Sequence, residues 1–135
     1  MHEVIPDQVV ALRDGFPMEI RPLKLLGTYE ILLDPRHDER GYFMRCYDEA
    51  IFRENGLVTE WKQENQSLSM RVGIIRGLHF QVPPHSETKL VRVAVGEVLD
   101  VFVDLRKDSP TYGQWDAFGL SEANYRIQSQ PHSTH

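Results

Sequence analysis

Two cations and a histidine lie close together in one stretch, residues 73–105, GIIRGLHFQVPPHSETKLVRVAVGEVLDVFVDL. Arg76 and Lys89 are cations, and His79 is the side chain best suited to proton transfer near neutral pH. The β-branched residues around them can hold them rigidly. His79 stands between Leu78 and Phe80, which point the other way if the run is a strand. A histidine so placed is either a base or a hydrogen-bonded core or rim residue. Lys89 opens the next run after a loop, which brings its ammonium toward the imidazole or leaves it as a solvated edge charge. Arg76 could clamp a phosphate through two parallel bonds or pair with a surface carboxylate. Asp100 or Asp104 could orient His79 by accepting from its second ring nitrogen, but either could instead hold a turn or bind Arg106.

A metal is the competing use of these histidines. His79 and His85 are six apart with Glu87 nearby, whereas a β-barrel metal site ordinarily takes two histidines two apart on one strand face. Gln81 occupies that second position, so the spacing argues against a metal. His132 and His135 fall in a polar terminal stretch and are read as part of a flexible tail over residues 125–135.

The elements that must position these residues are mostly strands. Residues 1–18 read as an arm or a first edge strand, and residues 20–33 as a strand pair around Gly27. Asp34-Pro35 and the polar run to Gly41 make a turn before a strand over residues 42–47. Asp48 as N-cap and Gly56 as stop bracket one short helix near residues 48–56. In WKQENQSLSM, residues 61–70, Gln63, Asn65, Ser67 and Ser69 share one face at period two. Such a face looks at water or lines a barrel that holds a polar ligand. Strands are expected over residues 74–81, 89–95, 98–105 and 114–120, with a hairpin turn at Gly96-Glu97. Along residues 98–105 the all-apolar face is expected on the core and the mixed face, with Asp100 and Asp104, toward a cavity. Short strands with frequent turn signals describe an all-β sandwich or barrel.

Composition sets the outer bounds. The 135 residues, 41% of them hydrophobic, fit one domain with a real core. A formal charge of -5 argues against a protein that holds nucleic acid or an anionic membrane through its overall field, while leaving room for a small basic pocket. Cys46 is the only cysteine, so there is no intrachain disulfide, and a reducing, cytoplasmic setting is expected. The first ten residues lack the basic start and apolar core of a signal peptide, and no apolar run approaches the roughly 20 residues of a membrane span.

Five ordered strings carry a resemblance. DERGYF at residues 38–43, QENQSLS at 63–69, RGLHFQ at 76–81, KLVRVAVGEVLDVFVDLRKDSPTYGQW at 89–115 and LSEAN at 120–124 resemble the dTDP-4-dehydrorhamnose 3,5-epimerase family from about Leu26 to Asn124. The resemblance implies a cupin-type jelly roll, or double-stranded β-helix, that forms a homodimer and uses no metal or other cofactor. It implies a nucleotide-linked 4-keto-6-deoxy sugar as substrate, inverted at C3 and C5 next to the ketone, in dTDP-rhamnose or related deoxysugar biosynthesis. Matched residue by residue, His79 falls on the general base and Lys89 on the lysine near the 4-keto oxygen. Arg76 falls on a diphosphate contact, Gln63 and Asn65 on the polar strand facing the substrate, and Arg40 and Phe43 on the segment that reaches the neighbouring subunit's nucleotide.

Two departures accompany the resemblance. Family chains continue beyond the LSEAN-like segment through a GFAHGF-like motif, an acid tyrosine and an aspartate that pairs with the base, whereas this chain ends eleven residues after Asn124. The expectation is a fold without its last strands, and the alternative function is a non-catalytic sugar-nucleotide-binding or structural homologue. Arg45 stands where the family commonly has a glutamate, which points to another base or another contact.

Overall fold

The computed structural model describes residues 9–13 and 15–132. In chain order the elements are β1 (Val9–Arg13), β2 (Phe16–Pro22), β3 (Tyr29–Leu33), β4 (Arg36–Asp38), β5 (Gly41–Phe43), α1 (Glu49–Glu54), β6 (Lys89–Arg92), β7 (Glu97–Val103), β8 (Trp115–Ser121) and β9 (Arg126–Gln130). Five strands pair antiparallel in the order β1-β2-β3-β9-β6, while β4-β5 and β7-β8 form two smaller sheets.

The expected strand pair around Gly27 is the β2-β3 hairpin, with Met18 opposite Leu33 and Ile20 opposite Ile31. Its loop closes where Leu23 N donates to Thr28 O at 2.9 Å and the Thr28 hydroxyl donates to Leu25 O at 2.6 Å. Gly27 supplies the left-handed φ of 80° that the turn requires. The expected helix is present too. Asp48 caps it by accepting from Ile51 N at 3.1 Å, and Gly56, at φ 71°, ends it. Arg45 leans on the same cap, 3.2 Å from the Asp48 carboxylate.

The two faces of the large sheet do different work. On one, Met18, Ile20, Ile31, Leu33 and Ile127 pack against Ile51 and Phe52 of α1. On the other, Val91 of β6 packs against Phe102, Phe118 and Leu120 of the β7-β8 sheet and against Leu25 of the hairpin loop. This second layer, between two sheets, is where Lys89 begins β6.

Several expectations are corrected. The terminal stretch expected to be a flexible tail contains β9, which lies between β3 and β6 with Ile127 through Gln130 buried. Its polar side chains hid it, because a strand with one apolar residue carries no period-two hydrophobic signal. The expected hairpin at Gly96-Glu97 does not form, since β6 pairs with β9 and β7 with β8, in separate sheets. The faces of β7 are reversed: Phe102 and Asp104 are wholly buried, while Leu99 is 70% exposed. Alternation shows that two faces exist, and the partner strand, with Phe118 and Leu120, decides which is covered. Residues 61–70 and 74–81 hold no strand, and the strand expected over 42–47 shrinks to Gly41–Phe43. Period-two patterning makes a strand only where a neighbour completes the hydrogen-bond ladder.

Candidate active site

Lys89 is the predicted site residue most firmly placed. It pairs with Gln130 across β6 and β9, its side chain is 28% exposed, and Nζ lies 4.0 Å from the Glu87 carboxylate. His79 and Arg76 precede it in the irregular run 74–88. Arg76 ties that run to the one before it: Nε donates to Ser69 Oγ at 3.1 Å and a terminal nitrogen to Leu68 O at 3.0 Å. His79 is exposed, and its ring lies beside Gly77, where a Cβ would sit 3.4 Å from Nδ1. What restricts position 77 to glycine is its φ of 104°, which side-chain-bearing residues rarely adopt.

Arg40 and Phe43 belong to the β4-β5 hairpin. Its His37 and Tyr42 rings meet at a tilt of 56° with centroids 5.5 Å apart, and Tyr42 meets Tyr125 edge-on at 5.7 Å, so aromatic contacts fix the hairpin while Phe43 stays exposed. The Arg40 guanidinium forks onto Asp38 at 2.6 and 3.2 Å and its backbone N–H adds a bond at 2.8 Å. Those bonds, the side-chain one first, hold the Asp38 carboxyl below its ordinary pKa. Gln63 and Asn65 are exposed in the run without a strand. An open groove of about 790 Å³ lies between Phe80, Gln81, Val82 and Pro83 on one side and Leu105, Arg106 and Lys107 on the other. None of the seven predicted residues lines it.

The two candidate carboxylates separate cleanly. Asp104 is fully buried in the 104–111 turn, accepting from Arg106, from Ser109 Oγ at 2.5 Å and from Thr111 Oγ1 at 2.7 Å. Burial alone raises its pKa, but these bonds, led by Arg106, outweigh it and hold the carboxyl well below the usual range. Asp104 therefore holds a turn. Asp100 faces the large sheet and accepts from Gln130 Nε2 at 2.7 Å. Gln128 and Gln130 are buried polar side chains whose only signal in the sequence is their period-two spacing in RIQSQ. Among the described residues, no group of three or more His, Cys, Asp or Glu side chains is placed to hold a metal ion, and no helix is long and apolar enough to cross a membrane.

Residues 22–131 match the dTDP-4-dehydrorhamnose 3,5-epimerase family, an interval that contains all seven predicted site residues and continues through β9. The chain belongs to that family. Over 110 residues it is 50% identical to the dTDP-4-dehydrorhamnose 3,5-epimerase of Methanothermobacter thermautotrophicus, covering 80% of this chain and 58% of that relative. Its fold superposes on the crystal structure of the Bacillus anthracis epimerase with TDP and PPi bound, with a TM-score of 0.83 and 37% identity, over 87% of this chain and 67% of that one. The Legionella pneumophila epimerase in complex with dTDP-4-keto-L-rhamnose gives a TM-score of 0.79 at 36% identity, over 87% and 62% of the two chains. The fold is the family's all-β jelly roll. The chain spans a little over half the length of the Methanothermobacter epimerase.

Proposed function

We propose that this chain epimerises a dTDP-linked 4-keto-6-deoxy sugar at C3, C5 or both, in dTDP-rhamnose or related deoxysugar biosynthesis. The observation that carries the reading is the family match running unbroken through RGLHFQ and KLVRVAVGEV, which hold His79 and Lys89. The Bacillus and Legionella relatives, crystallised with TDP and with a dTDP-ketosugar, support the substrate class.

The chemistry needs few parts. A C–H beside a ketone gives up its proton to His79, and the electron pair left on carbon moves into the carbonyl to form an enolate. The Lys89 ammonium stabilises the oxygen that gains the charge, and this matters most where water is excluded. Proton return from the opposite face inverts the centre and regenerates the ketone, so no electrons are gained or lost and the reaction needs no redox cofactor. Arg76 contacts the diphosphate, Gln63 and Asn65 the sugar, and Arg40 and Phe43 the nucleotide of a neighbouring subunit in a homodimer. Apolar side chains left open, among them Ile75, Leu99 and Trp115, are in keeping with such a pairing. The free Cys46 is in keeping with a cytoplasmic setting.

Proton NMR of the purified chain with a dTDP-4-keto-6-deoxyglucose in deuterated buffer tests this. Loss of the sugar C3 or C5 signal to deuterium, abolished in His79→Ala, is the expected result. Saturable binding of the nucleotide sugar without exchange would replace catalysis with the binding-module reading.

A further inference from the structure

The layer between the sheets carries a row of polar side chains of which the proposed chemistry uses only Lys89. Lys89 is the direct partner of Gln130, and Val91 of Gln128, across β6 and β9. Direct partners in an antiparallel ladder share a face, and so do residues two apart on one strand. Lys89, Gln130 and Gln128 therefore form one patch, which Glu30 of β3 extends as the partner of Gln128 on the other side. Gln128 and Gln130 are both wholly buried. Asp100 meets this patch from the facing sheet: Gln130 Nε2 donates to Asp100 Oδ2 at 2.7 Å and also to Gln128 Oε1 at 3.2 Å.

We propose that Gln130 is a positioning residue of the site, its amide fixing the Asp100 carboxylate opposite the strand that carries Lys89. The inference rests on the epimerase reading and adds to it a residue that acts through another. A buried amide is costly unless it is bonded, and Leu or Met fills a similar volume without that cost. Two amide atoms here, Gln130 Oε1 and Gln128 Nε2, have no hydrogen-bond partner among the described residues, so packing and mutual satisfaction do not account for the pair. The bond that does account for Gln130 is the one to Asp100, at the short distance typical of a charged acceptor. Gln130 can serve this acceptor at any working pH, because its NH2 never ionises. Gln130 is the direct ladder partner of Lys89, so the same residue that holds the Asp100 carboxylate also borders the proposed enolate-stabilising lysine.

The experiment uses the full chain. In 15N-labelled protein the Gln130 side-chain amide protons are expected to exchange slowly with solvent and to shift in Asp100→Asn. Gln130→Met, which keeps the volume and removes the donor, is expected to slow sugar-proton exchange roughly tenfold at unchanged half-saturating substrate. Added to Asp100→Asn, the same change is expected to cause no further loss, because two residues that act as one unit are non-additive. Ser129→Ala, on the same strand but the opposite face, is expected to leave the rate unchanged. Rapid Gln130 amide exchange that Asp100→Asn does not alter, or rate losses that simply multiply, overturns the proposal. A wild-type chain that exchanges no sugar proton overturns the epimerase reading instead, and the amide measurement still decides whether Gln130 holds Asp100.

Discussion

Asp104 and Arg106 form a two-point pair across a two-residue step: Arg106 Nε lies 2.9 Å from Oδ1 and a terminal nitrogen 2.9 Å from Oδ2. The same terminal nitrogen reaches the carbonyl of Leu26, and the Arg106 NH1 lies 3.3 Å from where a Cβ on Gly27 would be. One guanidinium thus joins the turn after β7 to the hairpin loop between β2 and β3.

That pair makes stability depend on acid. The folded Asp104 carboxyl titrates below the value of about 3.9 expected unfolded, so its ionised form stabilises the fold fully above about pH 4. The contribution is lost as pH falls further, toward the folded value. Asp104→Asn leaves a mostly buried guanidinium without its charge partner and is expected to cost about 3 kcal/mol at pH 7, or roughly 10 °C in melting temperature. Thermal melts at pH 7, 4 and 3 check it: the gap between wild type and variant must narrow below pH 4. A gap that stays constant would assign the cost to packing alone.

Gly27→Ala tests the other end of the same link. At φ 80° an alanine is strained whatever the space, and here its methyl also comes within 3.4 Å of Pro131 Cγ. A loss of about 1–2 kcal/mol is expected in urea unfolding, with the slope of the transition unchanged. An alanine variant as stable as wild type would show that the hairpin loop relaxes freely.

What could be read from the chain divides by the range of the interaction. The α1 helix was legible because Asp48 and Gly56 act within a turn of it, and the β2-β3 hairpin because Gly27 sits between two apolar runs. The strand β9 was not legible, since Gln128 and Gln130 are buried by neighbours far away in sequence rather than by their own hydrophobicity. The runs around Gln63 and His79 showed the period of strands, but a strand needs a paired neighbour that local pattern does not supply. Among the site residues the types and order pointed to His79, Lys89 and Arg76 through their motifs. The link from Gln130 to Asp100 spans thirty positions and exists only after two sheets face each other.

Lys89 and Arg76 are expected to separate in steady-state kinetics. In the proposed reaction Lys89→Met removes the charge used most in the enolate-like transition state, and a fall of about 100–1,000-fold in kcat with little change in KM is expected. The diphosphate contact proposed for Arg76 is one that substrate and transition state share equally, so Arg76→Met is expected to raise KM while kcat holds. Equal effects of the two variants on KM would put both residues in binding and leave the enolate without its cation.

Ile127 tests how much of the fold hangs on β9. It is 4% exposed, stands opposite Ile31 on β3 and Arg92 on β6, and packs into the layer over Ile51 and Phe52. Among the described residues no other strand joins β3 to β6, so loosening it separates the hairpin sheet from the strand that carries Lys89. Ile127→Ala deletes buried methyl groups with neighbours on both sides and is expected to cost about 2–5 kcal/mol. Hydrogen exchange checks where the loss falls. If β9 is the joint, amide protection must drop first in residues 89–92 and 126–130 while the β2-β3 hairpin keeps its own. Uniform loss across the sheet would instead show a single cooperative unit in which β9 holds no special place.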